Sequence, residues 1–203
     1  MTDRVTRFGD RRSMRIGLLG GSFNPAHQGH RHVIELALRR LRLDQVWLLV
    51  SPGNPLKPER GMAPFVRRLA SARGIADGRR VIASAIEAVW GTRYTIDTLR
   101  LLLRRFPRAR FVWLMGADIV VQLPRWRGWL EFVRRVPIAV LPRPGYTRRA
   151  LASQAARRFA AARRPMQSAA RLAELAPPAW VFLRVPEHAA SATAIRASIG
   201  AEP

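Results

Sequence analysis

The stretch Gly20-Gly21-Ser22-Phe23-Asn24-Pro25-Ala26-His27-Gln28-Gly29-His30 constrains this chain most, because of what flanks it. The apolar run Ile16-Gly17-Leu18-Leu19 precedes it, and Val33-Ile34-Glu35-Leu36-Ala37-Leu38, with helix-like spacing, follows. The pattern predicts a buried strand that opens through glycines into a loop and ends at a helix N-terminus. Backbone N–H groups left without intrahelical partners there, together with the helix dipole, attract phosphate. Gly20, Gly21 and Gly29 allow close backbone approach or unusual dihedrals, and the histidines add directional donors. His27 and His30, three apart, can share one face of a helical turn. That spacing also suits a structural role or metal ligation. The nearby carboxylate is Glu35 and no second metal-like cluster accompanies it, so no metal ligand is assigned. His32 is expected at the surface, and His188 is isolated.

Along the rest of the chain, apolar runs alternate with segments of helical period. The runs predict strands at 16–19, 46–50, 81–83, 111–115, 138–141 and 181–183, and helices near 30–42, 64–76, 95–105, 147–162 and 193–199. Several strand candidates are nearly continuous apolar runs rich in β-branched and aromatic residues, as expected when both sheet faces are covered. Strand–helix alternation therefore predicts an α/β fold: a Rossmann-like parallel sheet with helices on both faces and right-handed crossovers. Such sheets bind ligands beyond the carboxyl ends of their strands, at the topological switch point. The Ala/Arg-rich stretch 148–172 reads as helix until Pro165 ends it.

Composition bounds the class. A chain of 203 residues, 48% hydrophobic, buries one good core as a single domain. We expect residues 1–13 to be a loose tail and 14–203 the domain, with Met14 able to serve as a start. Cysteine is absent, which excludes disulfides and thiolate zinc sites. No apolar run approaches the roughly 20 residues that span a bilayer, so the expectation is a cytoplasmic protein without a membrane partner. The net charge of +23 raises the possibility of a nucleic-acid partner. Of 36 Lys and Arg residues, however, only Lys57 is lysine, a bias better explained by a GC-rich genome. The arginines are also spread as pairs expected on exposed faces: Arg39-Arg40, Arg67-Arg68, Arg104-Arg105, Arg134-Arg135 and Arg163-Arg164. Nucleic acid is accordingly not expected, while anionic small ligands are favoured.

A second anion signature lies near the end, in Ser191-Ala192-Thr193-Ala194-Ile195-Arg196. Ser191 or Thr193 can cap the last helix, and Arg196, about one turn in, has a fork suited to phosphate oxygens. Together, 20–30 and 191–196 resemble the nucleotidyltransferase superfamily with the (H/T)xGH motif, and within it the bacterial nicotinate-nucleotide adenylyltransferases. Supporting blocks are Ser51-Pro52-Gly53-Asn54-Pro55-Leu56-Lys57, Arg93-Tyr94-Thr95-Ile96-Asp97-Thr98-Leu99, Met115-Gly116-Ala117-Asp118, Trp126 with Trp129, and Arg143-Pro144-Gly145-Tyr146.

The resemblance implies ATP and nicotinate mononucleotide as substrates, deamido-NAD and pyrophosphate as products, and Mg²⁺ as helper. It implies that His27 and His30 hold the ATP phosphates, with His30 nearest the oxygen that develops charge. The loop Gly20, Gly21, Ser22 and Phe23, together with Lys57, Ser191, Thr193 and the catalytic Arg196, would complete the phosphate site. Asp118 would lie by the ribose, and Thr95 and Trp126 would line the pyridine pocket. Read singly, Asp118 and Thr95 also suit helix caps, Lys57 a surface position, and Trp126 with Trp129 the packed side of a short helix.

The chain departs from the family pattern in four places. Ala192 removes one serine, Arg93 replaces a serine before Tyr94-Thr95, Ile119 follows Asp118, and Leu123-Pro124 leads to Trp126. These touch the pyridine pocket more than the reaction. The rival readings are a nicotinamide-mononucleotide or pantetheine-phosphate acceptor in the same superfamily, or a non-catalytic basic nucleic-acid-binding module.

Overall fold

The computed structural model describes residues 13–53 and 61–185. Among the described residues there are seven strands: β1 (Arg15–Gly21), β2 (Gln45–Val50), β3 (Val81–Ser84), β4 (Arg110–Gly116), β5 (Ile138–Leu141), β6 (Arg163–Arg164) and β7 (Trp180–Phe182). They form one sheet in the order β3-β2-β1-β4-β5-β7-β6, with every neighbouring pair parallel. The predicted α/β architecture is what forms, with helices covering both faces.

The alternation of side chains along each strand explains why both faces are apolar. Ile16, Leu18, Trp47, Leu49, Trp113 and Met115 enter one buried cluster; Leu19, Val46, Leu48, Val50, Val112 and Leu114 enter the other. Helices α3 (Ile86–Trp90), α4 (Thr95–Arg105), α5 (Ala117–Gln122) and α6 (Trp129–Arg135) cover the first face through Ile86, Ile96, Leu99, Leu102, Val120 and Phe132. The second face is covered by α1 (Gln28–Arg40), α2 (Phe65–Arg73) and the 3₁₀ segment Met166–Glu174, through Ile34, Ala37, Leu69, Ala72 and Leu172. Gly20 is dictated by packing: a Cβ there would stand 3.0 Å from the Trp113 ring.

Two expectations need correction. The stretch 147–162 is not one helix but α7 (Thr147–Leu151), α8 (Gln154–Arg158) and a 3₁₀ turn at Ala160–Ala162. Ser153 makes the first break: its backbone is extended and its side chain accepts from the Ala156 N–H at 3.2 Å, capping α8. Nor does helix persist to Pro165, because Arg163–Arg164 pair with β7 as an edge strand. The expected helix at 193–199 and the tail 1–13, except for Ser13, lie outside the described residues. No helix among the described residues is long and apolar enough to cross a membrane.

Candidate active site

β1 is the topological switch point, since β2 and β3 lie to one side of it and β4 to the other. The loop leaving its carboxyl end passes through Ser22 to Phe23, which is 2% exposed and holds φ at 49°. That left-handed conformation is costly for a bulky residue and persists only where the surroundings impose it. Those surroundings are specific. Asn24 donates from Nδ2 to the Gly61 carbonyl at 2.9 Å and accepts from the Ala63 N–H at 3.2 Å. The Ala26 N–H donates to Ser71 Oγ at 2.9 Å. α2 and the chain leading into it therefore brace the loop.

His27 is the N-cap of α1, in extended conformation and 8% exposed. Its carbonyl accepts from the N–H groups of His30 and Arg31, and its own N–H donates to His30 Nδ1 at 3.2 Å. This bond makes Nδ1 the acceptor nitrogen of His30, so its ring proton sits on Nε2. The two rings lie 3.9 Å apart between centroids at 43°, and Phe23 supports His30 from 5.0 Å. The structure thus brings together the two histidines, the carboxyl end of β1 and the N-terminus of a 13-residue helix. The expected loop glycines are not in the loop: Gly20 and Gly21 are the last residues of β1, paired with Leu49 and Val50, and Gly29 lies inside α1.

Beyond the end of β4, Asp118 sits in the first turn of α5. Its Oδ1 is buried with no hydrogen-bond partner among the described residues; the Arg143 Nε beside it is 3.9 Å away. An acceptor left in that state is an incomplete interaction. Thr95 is the first residue of α4. Trp126 follows the 3₁₀ turn Leu123–Arg125 and packs edge-on against Phe132 at 5.6 Å. Their immediate neighbours touch: the Arg127 guanidinium lies 4.7 Å from the Tyr94 ring centroid, and a Cβ on Gly128 would meet Ile96 at 3.4 Å. Arg100 links Asp97 to Glu131 across the same junction. Trp129 instead packs on Phe159 at 5.9 Å, a structural position. Lys57, Ser191, Thr193 and Arg196 lie outside the described residues, as does Ala192.

Sequence reasoning missed two buried ionisable side chains, Arg68 and Glu87. Arg68, expected on an exposed face with Arg67, is 2% exposed; its guanidinium bonds to backbone carbonyls, and burial lowers its pKa. The other four arginine pairs are exposed. Glu87 is 8% exposed and accepts from Thr98 Oγ1 at 3.3 Å. Burial pushes its carboxyl up to about 7, while hydrogen bonds from Thr98 and Ser51 draw it partway back. The signal available for Arg68 was its place beside Leu69, on the apolar side of an amphipathic helix.

A family model described as cytidylyltransferase-like matches residues 18–198. A relative from Gluconacetobacter diazotrophicus, named "Probable nicotinate-nucleotide adenylyltransferase", is 57% identical over 96% of this chain and 90% of its own. One of the same name from Gluconobacter oxydans is 58% identical over 91% of this chain and 95% of its own. Among solved structures, the Plasmodium falciparum nicotinic acid mononucleotide adenylyltransferase complexed with NaAD shares the fold. Its TM-score is 0.68 at 15% identity, over 91% of this chain and 83% of that one. The carboxyl end of β1 and the paired histidines at the switch point sit within that matched span, and the chain belongs to the cytidylyltransferase-like family, among the nicotinate-nucleotide adenylyltransferases.

Proposed function

We propose that this protein transfers the adenylyl group of ATP to nicotinate mononucleotide, forming deamido-NAD and pyrophosphate in NAD biosynthesis. The observation that carries this reading is the closely packed His27–His30 pair, its rings tilted and 3.9 Å apart, at the N-terminus of α1, at the switch point. It occurs in a chain more than half identical to relatives bearing that enzyme's name.

The second pKa of a phosphate monoester is about 6, so the acceptor phosphate is largely a dianion at neutral pH. One of its oxygens forms a bond to the α-phosphorus of ATP as the bond to pyrophosphate breaks, and pyrophosphate leaves with the electron pair. No protein nucleophile is needed; alignment and charge stabilisation supply the catalysis. His30, protonated on Nε2, donates to the phosphate oxygens on which charge builds, and His27 joins it at the helix N-terminus. Gly20, Gly21, Ser22 and Phe23 line the approach. Lys57, Ser191, Thr193 and Arg196 carry the remaining phosphate contacts by resemblance. Mg²⁺ enters as the counter-ion of ATP, held chiefly by its phosphates.

The buried Asp118 Oδ1 is a ready acceptor for a ribose hydroxyl. Trp126 offers its face to the pyridine ring and Thr95 its hydroxyl to the pocket wall. We place the reaction in the cytoplasm, where ATP is at hand. The test is to incubate the protein with ATP, Mg²⁺ and nicotinate mononucleotide and identify the product by mass, with nicotinamide mononucleotide and phosphopantetheine in parallel. Deamido-NAD as the dominant product supports the proposal. Preference for another acceptor overturns the pyridine assignment, and no transfer to any of them overturns the reaction.

A further inference from the structure

We propose that Arg68 is a positioning residue for ATP, a buried fork that locks the loop after β1 to the loop after β2. The proposal rests on the reading that the loop after β1 receives the triphosphate. Arg68 belongs to α2, yet its side chain leaves the helix surface and binds three separate stretches of chain. Nε donates to the Ala63 carbonyl at 2.9 Å; Nη1 donates to Ser22 at 2.9 Å and to Ser51 at 2.6 Å; Nη2 donates to Pro52 at 2.9 Å. Phe65 flanks the guanidinium carbon with its ring centroid 5.5 Å away. No carboxylate pairs with it among the described residues.

A cation at 2% exposure is costly to desolvate, and a leucine in its place would avoid that cost. What a leucine cannot supply is the planar five-donor fork, which reaches several acceptors in fixed directions at once. The acceptors are informative. The Ser22–Phe23 peptide is trans, so holding the Ser22 carbonyl on Arg68 turns the Phe23 N–H to the opposite side of the peptide plane. Phe23 is also the residue held at φ 49°. The Pro52 carbonyl likewise sets the Gly53 N–H. Arg68 thereby presets two backbone donors on adjacent loops at the carboxyl ends of β1 and β2. Its charge polarises both peptides toward stronger donation. Binding an anion with donors already aimed avoids the cost of ordering them.

The test uses the full chain with Arg68→Met, close in length without donors, and Arg68→Lys, which keeps the charge and loses the fork. KM for ATP, KM for nicotinate mononucleotide and kcat are measured on folded protein. Hydrogen–deuterium exchange of the amides in 20–26 and 51–53 is followed without ligand. Both variants are expected to raise KM for ATP by about tenfold or more, with KM for nicotinate mononucleotide little changed and faster exchange in both loops. Lysine failing to rescue is part of the expectation, because one ammonium cannot reproduce the fork. A folded variant with wild-type KM for ATP overturns the proposal, as does an equal rise for both substrates, which marks general structural damage. Where Arg68→Met does not fold, Arg68→Lys decides alone by the same criteria. Should the wild-type protein fail to use ATP, the functional reading fails by itself. Unchanged exchange in both variants then separately overturns the locking of the loops.

Discussion

Glu87→Gln should make this protein's stability much less sensitive to pH, and the size of the effect follows from burial. The carboxyl is 8% exposed at the start of α3, among Ile86, Thr98 and the end of β2. Burial raises it from an ordinary value of 4.5 to about 7, with Thr98 and Ser51 opposing the rise. Between those two values the unfolded chain ionises Glu87 while the folded protein keeps it protonated. Its contribution to stability is therefore complete below the unfolded value and is lost as pH rises through about 7. At about 1.36 kcal/mol per pH unit, the loss amounts to about 3 kcal/mol. Glutamine keeps the shape and hydrogen-bonding capacity but has no proton to lose. Urea unfolding of both proteins at about pH 5 and about pH 8 reads the difference directly. Because pH 5 already lies above the unfolded value, wild type should lose about 2.5 kcal/mol relative to the variant on going to the higher pH. Parallel pH dependence in the two proteins would refute the reasoning.

Two further outcomes are expected. Trp126→Ala should raise KM for nicotinate mononucleotide about tenfold with a smaller effect on kcat, as lost ground-state stacking does; Trp126→Phe should recover most of it. Steady-state kinetics with ATP held saturating checks both. Gly128→Ala meets a left-handed φ of 65° and the Ile96 side chain at 3.4 Å. It should lower stability by about 1 kcal/mol or more in denaturant titration and disturb the packing of the start of α6 on α4.

Much of this site was legible because its chemistry is written in local order. The apolar run before Gly20 and the His27–His30 spacing specify a strand, a connection and a helix start, and the structure has all three, although the strand runs on through Gly20 and Gly21 and Gly29 is already helical. The strand at Ile138–Leu141 has the bounds its apolar run predicts. Other elements carried too little signal. α3, α5 and α6 span 5, 6 and 7 residues, less than two helical turns, so no period could emerge. β6 consists of two exposed arginines whose pairing with β7 follows from tertiary position. Arg68 was misread for a related reason. A doublet of arginines looks like solvated surface, and only the arrival of Ser22, Ser51 and Pro52 from elsewhere in the chain supplies the acceptors that let one of them be buried.

The central claim is that the histidine pair at the start of α1 stabilises the charge that builds at the α-phosphate as the adenylyl group is transferred. It is tested most directly by pyrophosphate release from ATP and nicotinate mononucleotide in His30→Ala, with folding verified by thermal melting. Loss of an aimed donor should lower kcat by about 10²–10³-fold, with little change in either KM. Wild-type turnover in the folded variant would contradict the claim.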